Sequence, residues 1–138
     1  MKFLNFDKLL EQNTIDYNGK HEFVIKNSAP LYRTIITLIS DNDLPRDIRA
    51  KLFAIVGYFV IPNDFYPEED LGPIGYIDDL MLVIFILREI LELESYEKLE
   101  GVWEGDIEDL KRIIEVEFEL IITEHTELYK DLIDFMGF

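Results

Sequence analysis

A length of 138 residues suits a single domain, residues 1–138, able to bury about two thirds of the surface that its unfolded form exposes; 49% hydrophobic and 13% aromatic residues supply a core. The 29 acidic against 13 basic side chains leave a formal net charge of -16. Such a surface repels phosphate backbones and anionic lipid, so nucleic-acid binding is not expected and peripheral membrane contact is disfavoured. The absence of cysteine excludes disulfide frameworks, thiolate metal sites and cysteine nucleophiles, and it fits a reducing cytoplasmic interior.

Phe3, Phe6, Leu9 and Leu10 recur at helical spacing and predict an amphipathic helix over residues 2–12. The next stretch admits two readings. Asn18-Gly19 is a two-residue turn signal between Ile15 and Tyr17 on one side and Phe23 and Ile25 on the other, which describes a small hairpin near residues 14–26. A loop followed by a helix after Gly19 is preferred, because an isolated hairpin is marginal without further strands. Ser28 then offers an N-cap for a helix with the buried stripe Leu31, Ile35, Leu38 and Ile39. Pro45 opens the following helix, with Asp47 near its positive end. From Leu52 to Val60 that helix is apolar nearly all round, which predicts a central position, and Pro62 stops it.

Residues 62–75 hold three prolines and two glycines and predict an irregular connection. A second central helix is expected from about Tyr76 to Leu93, apolar through residues 80–87. Gly101 and Gly105 punctuate a link around Trp103. Ile107, Leu110, Ile114, Phe118, Ile121, His125, Leu128, Leu132 and Met136 then step by three or four, the period of one long helix or of two collinear ones broken near residues 123–126. The apolar ending Phe135-Met136-Gly137-Phe138 is expected to dock on the core or on a second copy of the chain. The fold class is therefore all-α: a compact bundle with two apolar central helices surrounded by three or four amphipathic ones. Neither apolar stretch approaches the roughly 20 residues that a membrane-spanning helix requires, and Asp7 arrives before any secretory-type apolar run.

The most informative segment is Tyr58-Phe59-Val60-Ile61-Pro62-Asn63-Asp64-Phe65-Tyr66-Pro67-Glu68, followed by Gly75-Tyr76-Ile77-Asp78-Asp79-Leu80. Two prolines fix an extended turn after one apolar helix, and Asp78 and Asp79 fall in the first turn of the next. If those helices are neighbours, Asp64, Asp78 and Asp79 gather at one end of the core, with Glu68 on the same loop. This pattern resembles the signature of the YkvA-like family of domains of unknown function. The specific likeness covers residues 58–80, and helical flanks extend it to about residues 45–91. Ile61 stands where relatives often carry a small hydroxyl residue, Glu68 replaces a second aspartate, and the loop before Gly75 is one residue longer. The resemblance implies a small helical domain and no established activity.

Asp64, Glu68, Asp78 and Asp79 have two chemical readings. As a hard-cation site they would hold magnesium or calcium through carboxylate oxygens, with hydrolysis as an attached activity. As structural groups they would accept backbone N–H groups in the turn and at the start of the next helix. The structural reading is preferred, since such a reversal needs internal hydrogen bonds. No Glu-x-x-His pair marks a di-iron site, because Asn18 precedes His21 and Ile122 precedes His125 at that spacing. His21 is expected to be exposed, and His125 to lie at the core edge. No serine lies in a glycine-flanked elbow, and no glycine loop has phosphate-binding spacing. The leading expectation is a non-catalytic helical domain that acts through protein contacts or self-association.

Overall fold

The computed structural model describes residues 2–60 and 75–138, with side chains from residue 6 onward. Its helices are α1 (Lys2–Thr14), α2 (Glu22–Lys26), α3 (Ser28–Ile39), α4 (Arg46–Val60), α5 (Ile77–Leu93), α6 (Tyr96–Glu100), α7 (Ile107–Arg112), α8 (Phe118–Glu124) and α9 (Thr126–Met136). A π-helical turn, Ile113–Glu117, joins α7 to α8, so the three make one continuous rod. No strand occurs among the described residues, and the all-α bundle expected from the hydrophobic period is what forms.

α5 is the axis of the molecule. It packs against α2, α3, α4, α8, α9 and the π turn. From Ile77 to Leu87 every residue is buried except Phe85, which is partly buried. The lack of a polar face on this helix follows: each side has a protein neighbour, and apolar area removed from water contributes roughly 25 cal/mol per Å². Glu89, Glu92 and Glu94 bring its C-terminal end back to solvent, where Glu89 meets Lys51 of α4 at 2.9 Å.

α4 departs from expectation. Its inner face, Ile48, Leu52, Ile55, Val56 and Phe59, is buried against α3 and α5. Among the described residues, none covers its outer face. Phe53 is 59% exposed, and Ala50 and Ala54 are exposed beside it. Apolarity all round therefore marks burial on every side in α5 but on one side only in α4.

The stretch near residues 14–26 is not a hairpin. Thr14 ends α1, its hydroxyl donating to the Leu10 carbonyl at 2.8 Å. The Tyr17 hydroxyl then donates to the Lys20 carbonyl at 2.9 Å and folds its ring across Gly19. A Cβ at Gly19 would lie 2.8 Å from that hydroxyl, so the Asn18-Gly19 signal marks room for Tyr17 and not a strand reversal. The helix favoured after Gly19 appears as α2, whose Val24 and Ile25 are buried. Ser28 is also displaced from its expected role: Asn27 is the N-cap of α3, and the Ser28 hydroxyl donates back to the Ile25 carbonyl.

The expected break in the last helix falls at His125, with φ -123° and ψ 43° between α8 and α9. Beyond it the chain end docks only in part: Met136 and Phe138 pack against the core, whereas Phe135 is 67% exposed. Phe138 stacks on Phe85 with ring centroids 5.6 Å apart, and the Lys51 ammonium lies 5.3 Å from the Phe138 centroid. Trp103 is buried, with its indole N–H donating to the Asp106 carbonyl at 3.0 Å. Among the described residues no helix is long and apolar enough to cross a membrane.

Candidate functional site

The motif singled out in the sequence is met at the N-terminal end of α5. Asp78 and Asp79 occupy the first turn of that helix and are 0% and 1% exposed. The Asp78 carboxylate is held on both oxygens. Its Oδ2 accepts from the Tyr58 hydroxyl of α4 at 2.9 Å, and its Oδ1 accepts from the Asp79 backbone N–H at 2.9 Å. Tyr76 is the N-cap and makes no side-chain cap, so Asp78 supplies from within the first turn an acceptor that a capping serine or aspartate ordinarily supplies from just before it. Tyr58 thereby ties the last turn of α4 to the first turn of α5 across a sequence separation of 20. Of the four carboxylates proposed from sequence, Asp78 and Asp79 are brought together here; Asp64 and Glu68 lie outside the described residues.

The wall behind this pair is aromatic. Phe59 lies 5.7 Å from Phe6, 5.3 Å from Tyr32 and 6.3 Å from Tyr76, measured between ring centroids. Asn13 of α1 donates to the Tyr76 hydroxyl at 3.2 Å. Burial first, then the nearby Asp7 carboxylate, pushes the Tyr32 phenol up to about 12. Both carboxylates are thus withdrawn from water at the head of α5. Two acidic side chains in such a place are costly unless hydrogen bonds or a counter-charge offset their desolvation.

Elsewhere the structure corrects the reading of the histidines. The His21 side chain is 8% exposed, not solvated, and its ring centroid lies 5.5 Å from that of His125 in an edge-to-face arrangement. Burial first, then the neighbouring His21, holds the His125 imidazole below its ordinary value. No sequence signal joined these residues, because a turn and a helix break more than a hundred positions apart share no local spacing.

Residues 48–85 match a family model described as a protein of unknown function (DUF1232). That segment runs from α4 into α5 and so contains Tyr58, Asp78 and Asp79. The chain is also similar to the uncharacterized protein ORF9 of Methanothermobacter thermautotrophicus, with 27% identity over 103 residues, 75% of this chain and 70% of that protein. No solved structure matches.

Proposed function

We propose that the chain is a non-catalytic helical domain that works through protein contacts, and that α4 is the surface by which it meets a second copy of itself. The observation that carries this reading is the open face of α4. Ala50, Phe53, Ala54 and Gly57 follow one another at i, i+3, i+4 and i+7, so they share one side of the helix. Phe53 is 59% exposed, and a Cβ added at Gly57 would meet nothing within 4 Å. Small residues around one large aromatic suit close helix-to-helix approach, since the ring of one copy can rest over the alanine and glycine of the other. α4 carries Arg46, Arg49 and Lys51 against Asp47 alone, a net +2 within a chain of -16, so this helix adds no net acidic charge to the contact.

Solution mass by light scattering tests the reading. The native chain should show a dimer whose share grows with added salt, because screening removes acidic repulsion while apolar burial persists. Phe53→Glu should be monomeric with an unchanged helical circular dichroism spectrum. A native chain that stays monomeric up to its solubility limit, in low and high salt, would contradict it.

A second reading has its own support in the burial of two adjacent carboxylates. Neighbouring acids repel, and a divalent cation such as magnesium or calcium would relieve that repulsion. On this reading Asp64, Glu68, Asp78 and Asp79 bind the ion, with hydrolysis as the attached chemistry. The grip of Tyr58 and of the Asp79 amide on Asp78 favours the structural role instead. The overlap of the matched residues 48–85 with the proline-aspartate motif supports the YkvA-like assignment, with a family-like core of about residues 45–91 inside a single domain, 1–138. The cysteine-free, acidic composition supports a cytoplasmic setting.

A further inference from the structure

Three side chains with metal-ligating chemistry meet where the turn before α2 closes on the break between α8 and α9. His21 precedes α2 with φ 58° and ψ 29°, the one non-glycine residue with positive φ among those described. That left-handed conformation is disfavoured for a residue with a Cβ and calls for a local compensation. Glu124 ends α8, and His125 breaks the helix directly after it. The backbone departs from helix on both sides of the cluster, and the two imidazoles face each other across it.

The donor atoms of His21, Glu124 and His125 all lie within 4.8 Å of one another. His21 Nε2 is 3.0 Å from Glu124 Oε2 and is shielded from solvent, yet it makes no well-aligned hydrogen bond. The other oxygen of Glu124 is gripped by the Lys20 ammonium, which fixes the carboxylate with Oε2 turned to the histidine. Glu124 is 36% exposed, so one side of the cluster opens to water.

We propose that His21, Glu124 and His125 form a divalent transition-metal site of zinc type, with two imidazole nitrogens, one carboxylate oxygen and a water as fourth ligand. Two nitrogens and one oxygen suit zinc, cobalt or nickel and not magnesium or calcium, which prefer oxygen throughout. Zinc–nitrogen and zinc–oxygen bonds of about 2.0–2.2 Å place tetrahedral ligands about 3.4 Å apart. The His21–Glu124 pair already stands at 3.0 Å, and all three donor atoms fall within 4.8 Å of one another. The ion would clip the α1–α2 turn onto the C-terminal rod. It would act as a structural clasp, and the water-facing position would give it room to accept a ligand from a partner.

The test uses the tag-free full chain, stripped with chelator, and zinc chloride as the probe. Titration calorimetry should show one zinc per chain. The melting temperature should rise with zinc, because free zinc at 100 times its dissociation constant increases the folded-to-unfolded ratio about 100-fold. Cobalt should give the visible absorption of a tetrahedral ion. His21→Asn removes the ligand while keeping a residue that accepts left-handed backbone, and His125→Gln keeps a polar side chain at the break. Each should fold and lose both the zinc shift and the cobalt spectrum, whereas Asp78→Asn should keep them. No zinc binding by the native chain, or binding that survives in the His21→Asn/His125→Gln double variant, would overturn the proposal.

Discussion

Tyr58 and Asp78 are joined by a buried hydrogen bond that links the two helices of the matched segment, and its removal isolates what the motif does for the fold. Tyr58→Phe keeps the ring, its shape and its place 6.2 Å from Phe135, but takes away the donor to Asp78 Oδ2. A buried acceptor that loses its donor costs about 1–3 kcal/mol. We therefore expect a drop in unfolding free energy of that order by urea denaturation, with an unchanged m-value. A Tyr58→Phe chain as stable as the native one would mean that the bond contributes little. The acidic pair was visible in the sequence because prolines, a glycine and tandem aspartates sit between two apolar runs. Tyr58, one aromatic within an apolar run, carries no such mark. Its partnership with Asp78 depends on two helix ends being adjacent in space, which no local spacing encodes. The His21 pairing was hidden for the same reason at longer range, and the expectation of an exposed His21 failed because α2 turns that residue inward against α8 and α9.

At the level of elements, the difference between α4 and α5 shows where hydrophobic pattern stops being informative. Both read as helices with no polar face. α5 has packed neighbours around it, and Leu82 at its middle is fully buried. Leu82→Ala should lower stability by about 2–5 kcal/mol, the usual cost of removed apolar contact plus a cavity. The matched control is Leu120 on α8, which is 55% exposed, and Leu120→Ala should change stability by less than about 0.5 kcal/mol. Equal effects at the two positions, measured by chemical denaturation, would contradict the placement of α5 at the axis. α4 has the same composition but an open outer face, so an identical sequence signal there reports a surface. The π turn Ile113–Glu117 was also not legible. Its i→i+5 turn leaves no mark in apolar steps of three and four, and Ile113 and Ile114 are both buried within it. α6 was missed because its five residues are too few to show a period.

At the level of the whole molecule, one apolar core draws on each described helix from Leu10 to Leu132, while the acidic side chains among the described residues, Asp78 and Asp79 apart, lie outside it. That division was legible from composition: enough hydrophobic residues for a core, and a strongly acidic balance for the surface. Composition could not say where the few cations act. The structure spends them locally, with Arg33 meeting Asp7 and Glu104, Lys51 meeting Glu89, and Lys98 meeting Asp41. Each joins elements distant in sequence, so these three cations serve the packing of helices. What binds the account together is the structural role given to the buried aspartates at the head of α5. Thermal unfolding of the native chain and of Asp78→Asn/Asp79→Asn, each in chelator, magnesium and calcium, examines it most directly. An asparagine amide offers one oxygen where the carboxylate offers two, so the variant cannot hold both the Tyr58 hydroxyl and the amide N–H as Asp78 does. The variant should melt at lower temperature, and neither protein should respond to magnesium or calcium. A rise in melting temperature with either ion that disappears in the variant would contradict it, and would make the carboxylates a hard-cation site.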